Sequence, residues 1–499
     1  MNRHATGRIA QRRMKWLTQR ALIAAMLLAG TGPAVAQSTS PPPVTQSSTT
    51  WSARNWTRLE MWNFFGPSIG GGDHVYAYPA NRLQLGVRRV ARRYELAAAM
   101  QYVQFGNLPG NAVGPGPLGL GAVYFTHAGR SDSRQLYVRY LNARITDLLP
   151  GVAVQVGRMP YSSGGEAASG DPKIQAVKLQ RVEARLVGEF DWSLYQRGFD
   201  GIRVNVTRPG WSATAAGLMP TQGGFEDAAG LMMPDVRVLA ANVSFRPGRV
   251  IPRAEWQLFA FHYDDDREVT ARPDNSGRAG TRADVAITTL GTAVVTASAP
   301  RDGRQWDGLL WVAAQTGSWY REPHRALSVA IEGGHQWADA PGRPWVRGGY
   351  LHASGDGDPA DGRHGTFFQM LPTVRRYAQT ASYSQMNHTD LFVQAIARPT
   401  ASLGLRLDVH RVGLASGRDL WYSGSGATQS RGSIFGFSTR PSHGATHLGT
   451  TLEASADYAV SSHWSLNVFL GAMRGGDVVR PAFEGRKLTF GYIENVLQF

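Results

Sequence analysis

The chain has 499 residues, no cysteine, 58 glycines and a formal net charge of +15. Without cysteine, a disulfide scaffold, a thiolate metal site and a thiol nucleophile are excluded. Length alone is compatible with two or three soluble domains, so patterning has to decide the class.

The first 36 residues read as a targeting segment. Arg3, Arg8, Arg12, Arg13, Lys15 and Arg20 form a basic opening without an acid, followed by the ten apolar residues Ala21–Gly30 and the small Ala34 and Ala36. So short a run cannot cross about 30 Å of hydrocarbon, which makes it a signal peptide and not a membrane helix. The basic opening is long, and either Met1 or Met14 serves as the start. Removing its six cations leaves 46 basic against 37 acidic residues, a net +9. An exported chain has no use for nucleic acid, so anionic solutes and lipopolysaccharide are the partners this charge suits. Residues 37–50, "QSTSPPPVTQSSTT", predict a flexible N-terminal segment.

From residue 51 onward the pattern is period two. "GIRVNVT" sets Ile202, Val204 and Val206 against Arg203 and Asn205. "LSVAIE" sets Leu327, Val329 and Ile331 against Ser328 and Glu332, and "LGLRLDVH" sets Leu403, Leu405, Leu407 and Val409 against Arg406, Asp408 and His410. These are strands with one apolar and one polar face. Eighteen candidates follow, from 55–65 and 82–90 to 463–475 and 486–499, most eight to thirteen residues long. A tilted membrane strand needs about 9–11. Connections alternate: 91–93, 146–150, 208–210, 247–252, 298–304, 338–342, 399–400 and 460–462 are short, and those between them are longer, culminating in 159–198, 355–387 and 413–446. Short turns at one rim, long loops at the other and an even strand count describe an all-β, antiparallel up-and-down barrel of the bacterial outer membrane, spanning 51–499. Phe499, closing a strand that carries Ile493 and Leu497 on one face, suits a substrate of the barrel-insertion machinery.

Eighteen strands enclose a lumen too wide for wall side chains alone to fill, so an aqueous channel is expected. An arginine facing lipid at the midplane costs roughly 2–4 kcal/mol, which directs mid-strand charges inward. Arg58, Arg88, Arg139, Arg203, Arg347 and Arg406 are therefore expected to line the pore, with Glu60, Glu95, Glu255, Glu332, Asp408, Glu453 and Glu494. The facing of 135–145 and 343–354 is ambiguous. These charges either keep the lumen wet by pairing with one another or form a basic track for carboxylates, which match the arginine fork. No motif supports catalysis, a cofactor or a resident metal. His388 and Asp390 in "MNHTD" are incidental rim residues, and Gly70-Gly71-Gly72 lacks a phosphate-binding context.

Several stretches resemble the alginate-export family of outer-membrane barrels: "LVGEFDWSLYQRGFDGIRV" (186–204), "PTQGGFE" (220–226), "ASGDGDPADGRHGTFFQMLP" (353–372), "DLWYSG" (419–424) and the closing strand. The resemblance covers the chain from residue 51 in the same order. It implies an 18-stranded monomer with an arginine-rich lumen that exports an anionic polysaccharide or a related solute. An uptake porin for small carboxylates or oligosaccharides is the alternative. In the loop 355–387, Asp356, Asp358 and Asp361 follow D-x-D-x-x-D-G, and Phe368 stands where a calcium loop would place its bidentate glutamate. Calcium in another geometry stays open beside the favoured reading, in which the acids make tight turns. His364, Phe367 and Phe368 then belong to an apolar plug, and the loop is a gate.

Overall fold

The structure is a computed structural model that describes residues 47–499 apart from 68, 70, 115–120, 247–252, 281, 378 and 381. The expected signal peptide lies outside the described residues. Among the described residues, twenty-two strands form in chain order: β1 (Ser48–Phe64), β2 (Val75–Val90), β3 (Tyr94–Phe105), β4 (Ser133–Leu149), β5 (Val152–Met159), β6 (Phe199–Arg208), β7 (Trp211–Pro220), β8 (Val236–Phe245), β9 (Ala254–Asp265), β10 (Glu268–Val269), β11 (Val285–Ala297), β12 (Arg304–Trp319), β13 (Glu322–Trp337), β14 (Trp345–Ala353), β15 (His388–Thr400), β16 (Leu403–Gly413), β17 (Leu420–Gly424), β18 (Arg431–Gly432), β19 (Phe437–Pro441), β20 (His447–Ala459), β21 (Trp464–Gly475) and β22 (Lys487–Gln498). Eighteen make one sheet. Each pairs antiparallel with its neighbours, and β1 pairs with both β2 and β22, so the sheet closes. The short β10, β17, β18 and β19 belong to the long loops, as do helices α1 (Gly121–Ala128) and α2 (Pro172–Arg181).

Alternation sets the two faces. Leu136, Leu141, Leu239 and Ile331, each 59–61% exposed, project from the outer face. Such a surface suits lipid and would be a liability in water. Trp51, Trp211, Trp256, Trp306 and Trp464 are also exposed, all near strand ends at the short-turn rim. They form the aromatic girdle expected at a membrane interface.

Three departures from simple alternation have local causes. Strand β1 begins at Ser48, inside the segment expected to be flexible, and its Ser48–Thr50 pair with Val90–Arg88. Strand β2 begins at Val75, seven residues before its expected start, because Tyr76, Tyr78 and Ala80 face an apolar filling and leave no polar face to read. The β12–β13 connection, expected to be long, is the two-residue turn Tyr320–Arg321, with φ of 47° and 69°. Positive φ at both positions is the hairpin geometry that matches strand twist.

The expected open lumen is the main correction. Two clusters of buried apolar side chains lie inside the ring, one including Val177, Phe367, Phe368 and Leu371, the other Tyr78, Phe105, Tyr195 and Trp421. Wall side chains alone do not fill so wide a barrel; its loops do.

Candidate functional site: the lumen and its loops

Loop 160–198 crosses the barrel. Asp171 caps α2, its Oδ1 accepting from the Lys173 and Ile174 N–H groups at 2.9 and 3.3 Å. Its Oδ2 meets Arg253 at 2.7 Å, beside the short-turn rim. The helix and the residues just after it lay a basic stripe against acids of the wall. Lys173 lies 3.3 Å from Asp307, Lys178 pairs with Glu255, and Arg181 and Arg185 reach Glu332 at 2.8 and 3.6 Å. Burial holds the Lys173 ammonium down to about 8. Beyond the helix, residues 192–197 lie across β1–β4, where each buried backbone carbonyl needs a donor. Arg58 donates to Trp192 O at 3.0 Å, Arg82 to Ser193 O at 3.2 Å, and Gln101 to Leu194 O and Tyr195 O at 3.2 Å. Tyr137 also donates to Tyr195 O, and Arg139 to Arg197 O at 2.7 Å.

Loop 354–387 packs on this crossing. Leu371 N–H donates to Leu186 O at 2.9 Å and Thr373 N–H to Ala184 O at 3.0 Å, while Arg376 pairs with Glu183 and Asp191 at 2.8 and 3.0 Å. Gln315 of β12 clamps the loop backbone: its Nε2 donates to Phe368 O at 2.7 Å and its Oε1 accepts from Phe368 N–H at 2.8 Å. Arg197 ties in the loop between β16 and β20 by donating to Ser425 O and Ala427 O at 3.0 and 3.3 Å. Burial lowers its guanidinium to about 9, which leaves it charged at neutral pH.

Phe367 and Phe368 are fully buried, as a plug requires, and Phe368 packs edge-on against Tyr263 and Trp319. His364 stacks on Trp319 with ring centroids 4.4 Å apart and meets His324 through the two Nδ1 atoms at 2.8 Å. Burial pushes His364 well below the ordinary histidine range. The three aspartates make turns. Asp356 Oδ1 accepts from Asp358 N–H, Asp358 Oδ1 from Ala360 N–H and Asp361 Oδ1 from Arg363 N–H, at 2.8–3.1 Å. Asp358 and Asp361 are exposed, whereas Asp356 is buried, and its N–H donates to Asp419 Oδ2 at 2.8 Å. Burial raises Asp356 to about 6 and raises Asp419 as well.

Most of the charges expected to line the pore are covered. Arg347 is bound to Asp307 and Glu332, Arg139 to Glu189 and the Arg197 carbonyl, and Arg58 to Glu494 at 2.8 Å with Glu60 3.7 Å away. Glu60, Glu332 and Asp408 are buried with them, and Arg406 holds Asp408 at 2.5 Å. Expected as open pore lining, these groups anchor loops or one another, because carbonyls and helix cations folded into the lumen demand partners. Arg88 pairs with Glu95 at 2.6 Å near the short-turn rim and is half-exposed. Arg203 differs. It bonds Gln155 on β5, across which Arg144 of β4 stands in register. Among the described residues neither arginine makes an ion pair. Both are partly accessible from the lumen, two strand spacings or about 10 Å apart.

Arg144 escaped the sequence reading because Arg139 and Arg144, five apart, cannot share a face of a regular strand. The register shift opposite Ala99–Met100, where Tyr140 and Val138 pair and Arg139 is skipped, turns both inward. Helix α2 was legible only in its Asp171–Pro172 start and the basic spacing that follows.

The Alginate export family profile matches residues 126–488. No curated protein matches the sequence. Among solved structures, Pseudomonas aeruginosa OccK2 (OpdF) in complex with glucuronate is similar in fold, with 9% identity, a TM-score of 0.55 and coverage of 90% of this chain and 98% of that one. Pseudomonas aeruginosa OccK9 (OpdG) has 10% identity, a TM-score of 0.56 and coverage of 92% and 100%. Acinetobacter baumannii OccAB4 has 8% identity, a TM-score of 0.55 and coverage of 91% and 99%. The closed ring of eighteen antiparallel strands, its lipid-facing aliphatic surface and the family match lead to one conclusion: the chain belongs to the alginate-export family and is an outer-membrane channel.

Proposed function

We propose that the channel passes an anionic polysaccharide of the alginate type, or a related anionic solute, outward along the side of the lumen that carries Arg144 and Arg203. The observation that supports this is the row Arg144–Gln155–Arg203, two guanidinium groups without carboxylate partners on neighbouring strands. A guanidinium presents a fork that a uronate carboxylate can match with two hydrogen bonds, and a bound carboxylate would satisfy cations that the wall leaves unpaired. Arg58, Arg139 and Arg347, by contrast, already hold carboxylates within the protein.

A second reading, an uptake porin for small carboxylates, is favoured by the loop-filled lumen and by the glucuronate in the OccK2 structure. The test is single-channel recording of the protein in planar bilayers, with the reversal potential taken in a salt gradient before and after polyuronate is added. Anion selectivity with polyuronate block supports the polysaccharide conduit. Block by glucuronate alone, with indifference to the polymer, selects the small-solute porin. Cation selectivity sinks both.

A further inference from the structure

The lumen face of β16 and β20 brings together three groups with ligand atoms within 4.8 Å of one another: Asp408, His410 and Glu453. All three are buried, His410 to 1% exposure and Asp408 to none. Asp408 and His410 share a face two residues apart, and Asp408 pairs in register with Glu453. Two of the atoms lack partners. Asp408 gives Oδ2 to Arg406 but leaves Oδ1 unbonded, and His410 leaves Nε2 unbonded. An unpaired buried acceptor is expensive to maintain. The other imidazole nitrogen, Nδ1, lies 2.9–3.0 Å from the Asp390 carboxylate. A carboxylate in that position favours the Nδ1–H tautomer and leaves Nε2 with its lone pair free, the arrangement in which metal-binding histidines are held.

We propose that Asp408, His410 and Glu453 bind one divalent transition-metal ion of the zinc class. One imidazole with two carboxylates suits zinc better than calcium, which takes six to eight oxygens. Zinc ligands at about 2.0–2.2 Å from the metal stand about 3.4 Å apart in a tetrahedron, so side-chain shifts of about an ångström close the set. Glu453 also accepts the Gln379 and Thr380 N–H groups at 2.9 and 2.7 Å. The ion would therefore fix the carboxylate on which the 354–387 loop hangs, and it would reach the site through the lumen before that loop docks. This site is independent of the solute row at Arg144 and Arg203.

The test refolds the barrel in detergent from metal-free stock with and without zinc, then measures metal content after desalting and affinity by titration calorimetry. About one zinc per chain is expected, lost in Asp408→Asn and His410→Gln and weakened about 10–100-fold in Asp390→Asn, the effect of removing an outer partner of a ligand. Heat-modifiable migration in gels reports whether each variant has folded. Should His410→Gln fail to fold, X-ray absorption on the zinc-loaded wild type decides, with one imidazole and otherwise oxygen ligands expected. A wild type that keeps no zinc, a folded His410→Gln that keeps it, calcium binding as tight as zinc, or an absorption spectrum without one imidazole overturns the proposal.

Discussion

Arg347 on β14 and Arg203 on β6 both point into the lumen, and their surroundings assign them different work. Arg347 sits between Asp307 and Glu332, under a helix whose own cations share those acids. Arg203 has a neutral neighbour in Gln155 and an unpaired cation, Arg144, beyond it. The β9–β14 side of the ring therefore uses charge to hold a loop, where low dielectric strengthens each pair and makes a missing partner costly. On the β4–β6 side Arg139 and Arg158 likewise hold Glu189 and Asp200, and Arg144 and Arg203 are left without an acid among the described residues. Inward facing does not by itself separate the two arginines; the presence or absence of an acidic partner does.

The sharpest way to break this contrast is Glu332→Ala, which leaves Arg181 and Arg185 without an acid in the buried side and Arg347 with Asp307 alone. The expected destabilisation is about 3–5 kcal/mol, read as a fall in the urea midpoint together with faster proteolysis of α2. An unchanged midpoint would show that these pairs hold nothing. Replacing Arg144 and Arg203 by alanine together is the opposite case. Stability should move by less than about 1 kcal/mol, whereas each charge-assisted contact of about 1.5–3 kcal/mol predicts at least tenfold weaker block by the anionic solute. A loss of fold without a loss of selectivity would reverse the two roles.

Gln315→Leu frees the Phe368 N–H and C=O inside an apolar plug. Docking should weaken by about 1–3 kcal/mol, seen as cleavage within 355–387 and larger open-channel fluctuations. The pH dependence of the same loop divides into two opposed limbs. Burial lowers His364, so its contribution to docking is complete above about 6.5 and is lost as the pH falls. Burial raises Asp356, so its contribution is complete below about 4 and is lost as the pH rises through about 6. Between pH 4 and 6 the wild type should change little. Asp356→Asn should then loosen toward acid and His364→Gln toward base, in a proteolysis series, and equal slopes in the two variants would refute the assignment. Smallest of all, Asp358→Ala and Asp361→Ala remove exposed turn caps and should stay within about 0.5 kcal/mol. A calcium-dependent shift in either would restore the metal reading of that stretch.

The ring itself was legible because lipid on one side and water or polar loops on the other impose a two-residue period on every strand. It blurred wherever the inner face also met apolar matter, as at Tyr76 and Tyr78, or where one extra residue at Arg139 shifted the phase. The lumen filling was not legible. Alternation reports which way a side chain points and says nothing of what arrives to cover it, and the covering segments lie far away in sequence: Trp192 for Arg58, Phe368 for Gln315, Arg181 for Glu332. Only the composition of 355–387, with its paired phenylalanines, announced a segment that would leave the solvent.

The hairpin at Tyr320–Arg321 carries the wall of the channel beyond the membrane. Strands β12 and β13 run for 16 residues each, about five more than a tilted strand needs to cross. Trp306 and Trp337 pin their lower ends near the short-turn interface, so the surplus stands above the opposite one by about 12 Å at the usual rise and tilt. The wall therefore rises past the far interface here, as the 17-residue β1 and β4 allow it to do elsewhere in the ring, and on this stretch it is crested by the 90% exposed Arg321 beside Asp284.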